Sequence, residues 1–155
     1  MKIYVANLAK YNEGRLVGNW LTLPMDPDDL QKEINLVLGP DDEYAIHDYE
    51  SPFPISEYSN PFHLNQIAEL DESALDRFTY LVNEGYGWDY AFDHYDDVVF
   101  YEGMDIRSVA NDMLDDGCFG CIPDNIMNLI DVDRVVDLLV VDGYVETNKG
   151  TFYYQ

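Results

Sequence analysis

The 155 residues of this chain carry a net charge of −23, because 31 Asp and Glu oppose only 8 Lys and Arg. Hydrophobic residues make up 47% of the sequence and aromatic residues 14%, which excludes a disordered acidic tail. Gathering so much charge into one folded protein opposes compaction, so we expect the acidity to serve binding. Nucleic acid and anionic lipid would be repelled, whereas a basic cleft on another protein is the natural partner.

Neither the membrane-spanning nor the secreted class fits this sequence. No apolar run reaches the roughly 18 residues that a membrane-spanning helix requires. The first residues, MKIYVANLAKYNEG, lack the long apolar core and small-residue cleavage site of a signal peptide. The two cysteines, Cys118 and Cys121, are too few for a disulfide scaffold. We therefore expect a cytoplasmic protein.

The first sixty residues are predicted to form three strands and one helix. A β-hairpin over residues 2–8 and 16–23 turns at residues 11–14, and residues 44–49 form a third strand. Asp26 is suited to cap a helix with Pro27 at its first position and Asp residues in its first turn. Gly39 ends this helix, whose buried stripe is Leu30, Ile34, Val37 and Leu38. Three prolines within residues 51–61 predict a boundary.

Helices dominate beyond that boundary. The spacing of apolar residues predicts helices over residues 64–70, 72–84, 88–96, 105–115 and 132–141. A short strand is expected over residues 98–101, and a hairpin over 144–154 turns at 148–150. The sequence therefore predicts an α+β fold with three small subdomains: an N-terminal sheet with a helix at 1–59, a helical middle at 60–102, and a C-terminal α+β part at 103–155.

Negative charge is spread along the chain. Residues 1–25 hold one acid and three bases, 26–59 and 60–103 each hold ten acids and one base, and 104–155 hold ten acids and three bases. On the predicted helix from Trp88, Asp89, Asp93 and Asp96 form one stripe with no lysine nearby, although like-charged pairs cost about 0.2–0.5 kcal/mol each. Solvated surface explains any single acidic doublet. It explains the whole set less well, because ordinary surfaces intersperse both signs.

The charge density matches that of duplex DNA. A duplex carries one negative charge per ~1.7 Å of its axis, so a charge of −23 corresponds to about 39 Å of duplex. A compact chain of 155 residues is also about 39 Å across. We therefore predict a surface that offers carboxylates in place of phosphates, formed by Asp28, Asp29, Glu33, Asp41, Asp42, Glu43, Asp48, Glu50, Glu69, Asp71, Glu72, Asp76, Asp89, Asp93, Asp96, Asp97, Asp112, Asp115 and Asp116.

Three blocks of the sequence form a recognisable signature. The first contains Ile3-Tyr4-Val5-Ala6-Asn7-Leu8, Tyr11-Asn12-Glu13-Gly14, Leu16, Gly18 and Trp20. The second is Tyr44-Ala45-Ile46-His47-Asp48-Tyr49-Glu50, and the third contains Ile130-Asp131, Asp137-Leu138 and Gly143-Tyr144-Val145-Glu146. Together they resemble ArdA-type antirestriction proteins, strongly over residues 1–50, moderately over 130–146 and loosely between. The sequence departs from the family pattern after Glu50, where Ser51-Pro52 replaces the usual glycine.

This resemblance implies a function as well as a fold. Members of the family are bacterial DNA mimics, carried on plasmids, transposons and phages, that inhibit type I restriction-modification enzymes. They resemble bent B-form DNA, being elongated, built of three small domains and dimeric through the C-terminal one. They occupy the DNA groove of the methyltransferase core, and the resemblance therefore implies no catalytic residue, cofactor or metal.

The last predicted helix has an unusually wide apolar surface. Leu138 and Val141 widen a stripe formed by Val132, Val135, Val136, Leu139 and Val140. A helix that is apolar on more than one face is buried on more than one side. This stripe is therefore either a dimer interface or part of the subdomain's own core, and the sequence favours neither.

Other functions find less support in the sequence. The Cys118–Cys121 pair is flanked by Asp115, Asp116 and Asp124, which disfavour a reactive thiolate, and no suitably spaced His completes a zinc site. No segment has the spacing of an EF-hand loop. A carboxylate-pair hydrolase lacks a specific signal, because 31 acids always place some pair close together. Adaptation to high salt would not explain the signature blocks. An acidic binding module for another basic protein remains the alternative.

Four aromatic or imidazole side chains carry no predicted ligand role. His47 and Tyr49 share a face of the predicted third strand and are expected to be structural. Trp20 and Trp88 are expected to lie in the core, as large aromatic side chains commonly do.

Overall fold

A three-stranded antiparallel sheet organises the first part of the chain. The computed structural model describes all 155 residues. The strands are β1 (Lys2–Asn7), β2 (Gly18–Thr22) and β3 (Tyr44–Glu50), in the order β2-β1-β3. Their register pairs Tyr4 with Trp20 and with Asp48, and it shifts between Tyr4 and Val5. The predicted hairpin and third strand are confirmed. The hairpin connection also contains a short helix, α1 (Leu8–Asn12), that the sequence did not predict.

Helix α2 (Pro27–Leu38) covers the sheet as its capping residues predict. The Asp26 side chain accepts a hydrogen bond from the Asp28 N–H, and Gly39 ends the helix with a φ of 58°. The buried face of α2 packs on β1 and β2, where Ile3, Val5 and Leu21 are nearly inaccessible. This apolar face stabilises the fold at roughly 25 cal/mol per Å² buried.

A buried asparagine joins three elements of this sheet-and-helix unit. The Oδ1 atom of Asn7 accepts the Lys10 N–H and so caps α1. Its Nδ2 atom donates to the carbonyls of Val37 and Leu38 at the end of α2, at 3.3 and 3.0 Å. Asn7 is only 1% exposed, so these bonds satisfy groups that would otherwise be costly to bury.

Two further helices follow the N-terminal sheet. They are α3 (Pro61–Ile67) and α4 (Glu72–Asn83). The buried Asn65 side chain ties α3 to the start of α2, because it accepts the Met25 N–H at 2.9 Å and donates to the Met25 carbonyl at 2.8 Å. The predicted helices over 64–70 and 72–84 are thus confirmed with shifted ends.

A second antiparallel sheet organises the end of the chain. Its strands are β4 (Val99–Glu102), β5 (Val145–Thr147) and β6 (Gly150–Tyr153), in the order β4-β6-β5. The helices here are α5 (Trp88–His94), α6 (Ile106–Asp115), α7 (Asp124–Met127) and α8 (Val132–Asp142). Phe152 of β6 stacks between Tyr80 and Phe100, at centroid distances of 4.8 and 4.2 Å. The predicted α+β class is confirmed, and α7 is an addition to it.

The chain divides into two units, residues 1–75 and 76–155. The sequence predicted three subdomains with boundaries after residues 59 and 102. That division stays a prediction; the structure places α3 in the first unit, where Asn65 bonds to the start of α2. It groups β4 with the C-terminal hairpin, since β4 pairs with β6. Local composition cannot reveal such pairings, because the partners lie far apart in sequence.

We predict that Gly150→Ala lowers the free energy of unfolding by about 2–4 kcal/mol. Gly150 has a φ of 144°, and a methyl group there would overlap the Tyr101 carbonyl oxygen and lie 2.9 Å from the Gly103 amide nitrogen. Gly87→Ala is the control, because Gly87 has a φ of −68° and open space around it, so a change within about 0.5 kcal/mol is expected. Urea unfolding measures both, and equal midpoints would contradict the prediction.

Candidate protein-binding surface

Nearly all acidic side chains lie at the protein surface. Of the 31 Asp and Glu residues, Glu33, Asp41 and Asp76 are partly buried and the others are exposed. Fourteen acids and four bases give residues 1–75 a net charge of −10. Seventeen acids and four bases give residues 76–155 a net charge of −13. Each unit is therefore strongly acidic by itself.

One group of acids stabilises helix starts. The carboxylates of Asp26, Asp71, Asp105 and Asp131 each accept a hydrogen bond of 2.7–3.1 Å from a backbone N–H in the first turn of a helix. The bond from the Ser108 N–H holds the pKa of Asp105 below its ordinary value. Each such cap contributes about 1 kcal/mol to stability, so these four acids have a structural role whatever they bind.

Two acids of the predicted surface have partners that tie them to the fold. The Asp41 carboxylate accepts a hydrogen bond from Asn7 Nδ2 at 3.0 Å and lies 3.4 Å from Lys10 Nζ. The Asn7 bond holds the pKa of Asp41 below its ordinary value, and Lys10 acts in the same direction. The Asp76 side chain is 15% exposed and lies 3.5 Å from Lys149 Nζ. Neither carboxylate is fully presented to solvent.

The other predicted residues of the first unit lie on separate elements. Two of them pair with bases, Asp29 with Lys32 at 2.7 Å and Glu50 with Lys2 at 3.0 Å. Exposed ion pairs of this kind contribute little, with a median of about 0–1 kcal/mol. By element, the acids are Asp28, Asp29 and Glu33 on α2, Asp42 and Glu43 before β3, Asp48 and Glu50 on β3, Glu69 after α3, and Glu72 at the start of α4.

Several acids lie where they oppose folding. Asp115 is the last residue of α6 and Asp116 is its C-cap, at the negative end of the helix dipole. Asp112 lies one turn before Asp116, and the last turn of α6 contains no base. Asp142 similarly ends α8. Each charge at such a helix end costs about 0.3–1 kcal/mol. These exposed charges therefore oppose the stability of α6 and α8.

The predicted carboxylate stripe on α5 is shorter and better compensated than the sequence suggested. Asp89 and Asp93 lie on α5, which ends at His94 and continues as a single 3-10 turn over Tyr95–Asp97. The sequence predicted no lysine near the stripe, and the structure adds a base from another helix, because Arg77 of α4 lies 3.7 Å from Asp96. The Asp97 carboxylate also forms a hydrogen bond with His94 Nδ1, at a distance of 2.9 Å. Arg77 lies 19 residues before Asp96 in the sequence, so local patterning could not reveal this contact.

Helix α8 buries part of its wide apolar surface against α6. Leu139 is 1% exposed and packs in a core with Ile106, Val109 and Ala110, and Val132, Val135 and Val136 pack against the same cluster. Leu139 therefore belongs to the hydrophobic core of its own unit. On the remaining surface of α8, Leu138, Val140 and Val141 are 47%, 57% and 82% exposed. Of the five residues predicted for a dimer interface, Val140 is the one that lies exposed at the surface.

Comparison with known proteins gives the surface a family context. The family described as antirestriction protein (ArdA) matches residues 3–153, nearly the whole chain. The chain belongs to the ArdA family of antirestriction proteins. A comparison with curated proteins found no match. Membership in the ArdA family agrees with the resemblance of the signature blocks, and it implies an interaction with restriction enzymes.

The remaining sequence predictions concern side chains outside the acidic surface. Cys118 and Cys121 are both exposed thiols, and no group of three or more His, Cys, Asp and Glu side chains is arranged to hold a metal ion. The ring of His47 packs against Tyr11 at 4.5 Å. No helix of this ArdA-family protein has both the length and the apolarity to span a membrane.

The prediction of a core position for Trp20 was wrong. Trp20 is 43% exposed, and its ring meets Tyr4 edge-on at 5.5 Å on the face of the sheet away from α2. In a sheet covered by a helix on one face only, alternate side chains point to solvent, and Trp20 follows the exposed alternation while Leu21 follows the buried one. Trp88 is half-buried.

Sequence reasoning also missed an aromatic group beside the α5 acids. Tyr86 and Tyr90 are 40% and 42% exposed, and their rings stack at 5.0 Å. The ring of His94 stacks on Tyr90 at 4.2 Å. The spacing of four residues between Tyr90 and His94 was the available signal, since it aligns two rings along one face of α5; Tyr86 lies before the helix.

Proposed function

We propose that this protein is a DNA mimic that occupies the DNA-binding groove of type I restriction-modification enzymes and thereby inhibits them. The observation that carries the proposal is the acidity of both units, including acids such as Asp115, Asp116 and Asp142 at helix ends where they cost stability. Membership in the antirestriction family makes restriction enzymes the expected partner. The proposed place of action is the cytoplasm, and the protein carries out no reaction of its own.

The proposed mechanism is competition for one basic groove. Lys and Arg side chains that neutralise DNA phosphates would meet exposed carboxylates instead, and the counterions that DNA normally releases would be released by the protein. Opposite fields on the two partners speed their encounter and make it sensitive to salt. The expected target within the enzyme is the methyltransferase core, formed by its specificity and modification subunits.

An inhibition assay tests this mechanism. Purified type I enzyme is incubated with an unmodified plasmid that carries one pair of recognition sites. Plasmid cleavage is then measured at increasing concentrations of this protein. We expect inhibition that is relieved competitively by added duplex containing the recognition sequence. Polyaspartate of equal total charge is the control and should inhibit far more weakly, because it lacks a fixed surface. If duplex does not relieve the inhibition, the protein acts as an acidic module at another site.

We further propose that the protein acts as a homodimer. Leu138, Val140 and Val141 of α8 are exposed apolar side chains that a second copy can cover. An apolar patch of this kind on an otherwise acidic protein favours self-association, because it removes apolar area from water.

Two variants of α8 separate dimer formation from core packing. Leu139→Ala should lower the free energy of unfolding by about 2–5 kcal/mol, because Leu139 is 1% exposed within its own unit. Val141→Asp should cost much less, about 0.3–1 kcal/mol, because Val141 is 82% exposed and only the added charge in the last turn of α8 opposes folding. The same change should shift the protein from dimer to monomer in sedimentation velocity. A dimer that survives Val141→Asp together with Leu138→Asp would contradict this interface.

A further inference from the structure

A stack of three rings begins at Tyr86, in the loop before α5, and continues along α5. We call Tyr86, Tyr90 and His94 the ring ladder. Tyr86 stacks on Tyr90 with an interplanar angle of 13°, and Tyr90 stacks on His94 with an angle of 30°. Both tyrosines are at least 40% exposed. Exposed aromatic rings are attracted to cations, so the ladder is a candidate binding surface for basic side chains.

A carboxylate follows each ring of the ladder by three residues. Asp89 follows Tyr86, Asp93 follows Tyr90 and Asp97 follows His94, and all three acids are exposed. On α5, Asp93 is a neighbour of Tyr90 on the helix surface, about 5–6 Å away at Cβ, and Asp89 lies one turn before Asp93. The ring ladder therefore has a row of negative charges along its side. His94 and Asp97 show this directly, with Nδ1 and a carboxylate oxygen 2.9 Å apart.

A tyrosine from the end of the chain holds the ladder in place. The hydroxyls of Tyr90 and Tyr154 lie 2.8 Å apart, and the Tyr154 ring meets Tyr86 edge-on at 5.7 Å. The Tyr90 hydrogen bond raises the pKa of Tyr154 to about 12. Rings held in this way lose little conformational freedom on binding, which favours affinity.

We propose that the ring ladder and its row of carboxylates bind arginine side chains of the partner in preference to lysine. A guanidinium group is planar, stacks on aromatic rings and pairs with a carboxylate through two parallel hydrogen bonds. An ammonium group gains the charge attraction without the planar stacking. Mimicry of phosphates requires only carboxylates. The ring ladder therefore adds a preference for arginine to a surface that otherwise binds basic groups through charge alone. The identity of the partner's groove rests on the proposed function; the arginine preference does not.

Peptide binding isolates this preference from charge. Octa-arginine and octa-lysine carry equal charge, and their affinities for the full-length protein can be compared by titration calorimetry at one ionic strength. We expect the protein to bind octa-arginine about threefold to tenfold more tightly. Tyr86→Leu combined with Tyr90→Leu should lower that ratio at least twofold without changing net charge, and the preference that remains is the part due to paired hydrogen bonds with carboxylates. Equal affinities for the two peptides in the unaltered protein would overturn the proposal.

Two controls guard against loss of folding and against a general aromatic effect. Tyr90→Phe keeps the ring and removes the hydroxyl, so it should retain the arginine preference. Tyr58→Leu removes another exposed tyrosine, 77% exposed, and should also retain it. A circular dichroism melt establishes that the double leucine variant is folded. If Tyr58→Leu lowers the ratio as much as the double variant does, the ladder has no special role.

The methyltransferase separates this proposal from the proposed function. If the unaltered protein binds the enzyme, the double leucine variant should bind about tenfold more weakly with an unchanged dependence on salt, because no charge is lost. Equal binding by the variant would overturn the role of the ladder while leaving competition with DNA intact. If the unaltered protein does not bind the enzyme yet prefers octa-arginine, the proposed function fails and the arginine preference stands.

Discussion

Replacing Asp115 and Asp116 together by Asn should stabilise the protein and weaken its binding. Both residues lie at the C-terminal end of α6, where no base offsets the helix dipole. Removing two such charges should raise the free energy of unfolding by about 0.6–2 kcal/mol. Because each also removes a carboxylate from the proposed surface, affinity for the methyltransferase should fall about twofold to tenfold. Urea unfolding and a binding titration measure the two effects on the same sample.

A residue that caps a helix supplies the control, because its negative charge stabilises the fold instead of opposing it. Asp105→Ala also removes one exposed charge, but it deletes the carboxylate that accepts the Ser108 N–H at 2.7 Å. It should therefore lower the free energy of unfolding by about 1 kcal/mol. If Asp115→Asn with Asp116→Asn instead destabilises the protein, these acids have a structural role and the argument from their cost is wrong.

The Asp105 cap also predicts a dependence on pH. The pKa of Asp105 is lower in the folded protein than its ordinary value of 3.8. Its contribution to stability is therefore fully present above pH 3.8 and is lost as pH falls through the folded-state pKa. The stability difference between the unaltered protein and Asp105→Ala should accordingly shrink in that acid range.

Neutralising a block of carboxylates should weaken binding far more than any single change. Asp28, Asp42, Glu43 and Glu69 are exposed acids of the first unit. Each single amide substitution should lower affinity by about fivefold or less, since exposed pairs contribute about 0.2–1 kcal/mol. All four together should lower it by about tenfold to a few hundred-fold. The slope of log affinity against log salt should become shallower at the same time, because fewer counterions are released.

The same four positions offer a control that keeps the charge. Exchanging Asp for Glu and Glu for Asp at these positions moves each carboxylate by one methylene and should retain most of the affinity. The informative contrary result is a single Asp→Asn variant that folds normally and no longer binds. That result would assign recognition to one contact and remove the basis for a distributed surface.

Local signals in the sequence predicted the best-defined elements. The Asp26 cap, Pro27 and Gly39 fixed the ends of α2, because caps act on their own helix and need no distant partner. The alternation of apolar residues likewise indicated β1, β2 and β3. The α+β class followed from the same local patterns. The matched family agrees with the resemblance that the signature blocks carry.

Distant pairings account for what the sequence did not reveal. Pairing of β4 with β6 and the contact of Arg77 with Asp96 join residues that no local pattern connects. The same holds for Leu139, whose burial depends on α6 packing beside α8. For the acidic surface, composition predicted the charge but not which acids act as caps. Asp41 and Asp71 required the structure, since their partners are a buried asparagine and a backbone N–H.

The most direct test of DNA mimicry is a binding titration between this protein and a purified type I methyltransferase, in the presence of duplex DNA and at two salt concentrations. The account predicts mutual exclusion, so that the apparent dissociation constant rises in proportion to the added duplex. It also predicts weaker binding at the higher salt concentration. A stable ternary complex of methyltransferase, duplex and this protein, or no binding to the methyltransferase, would contradict it.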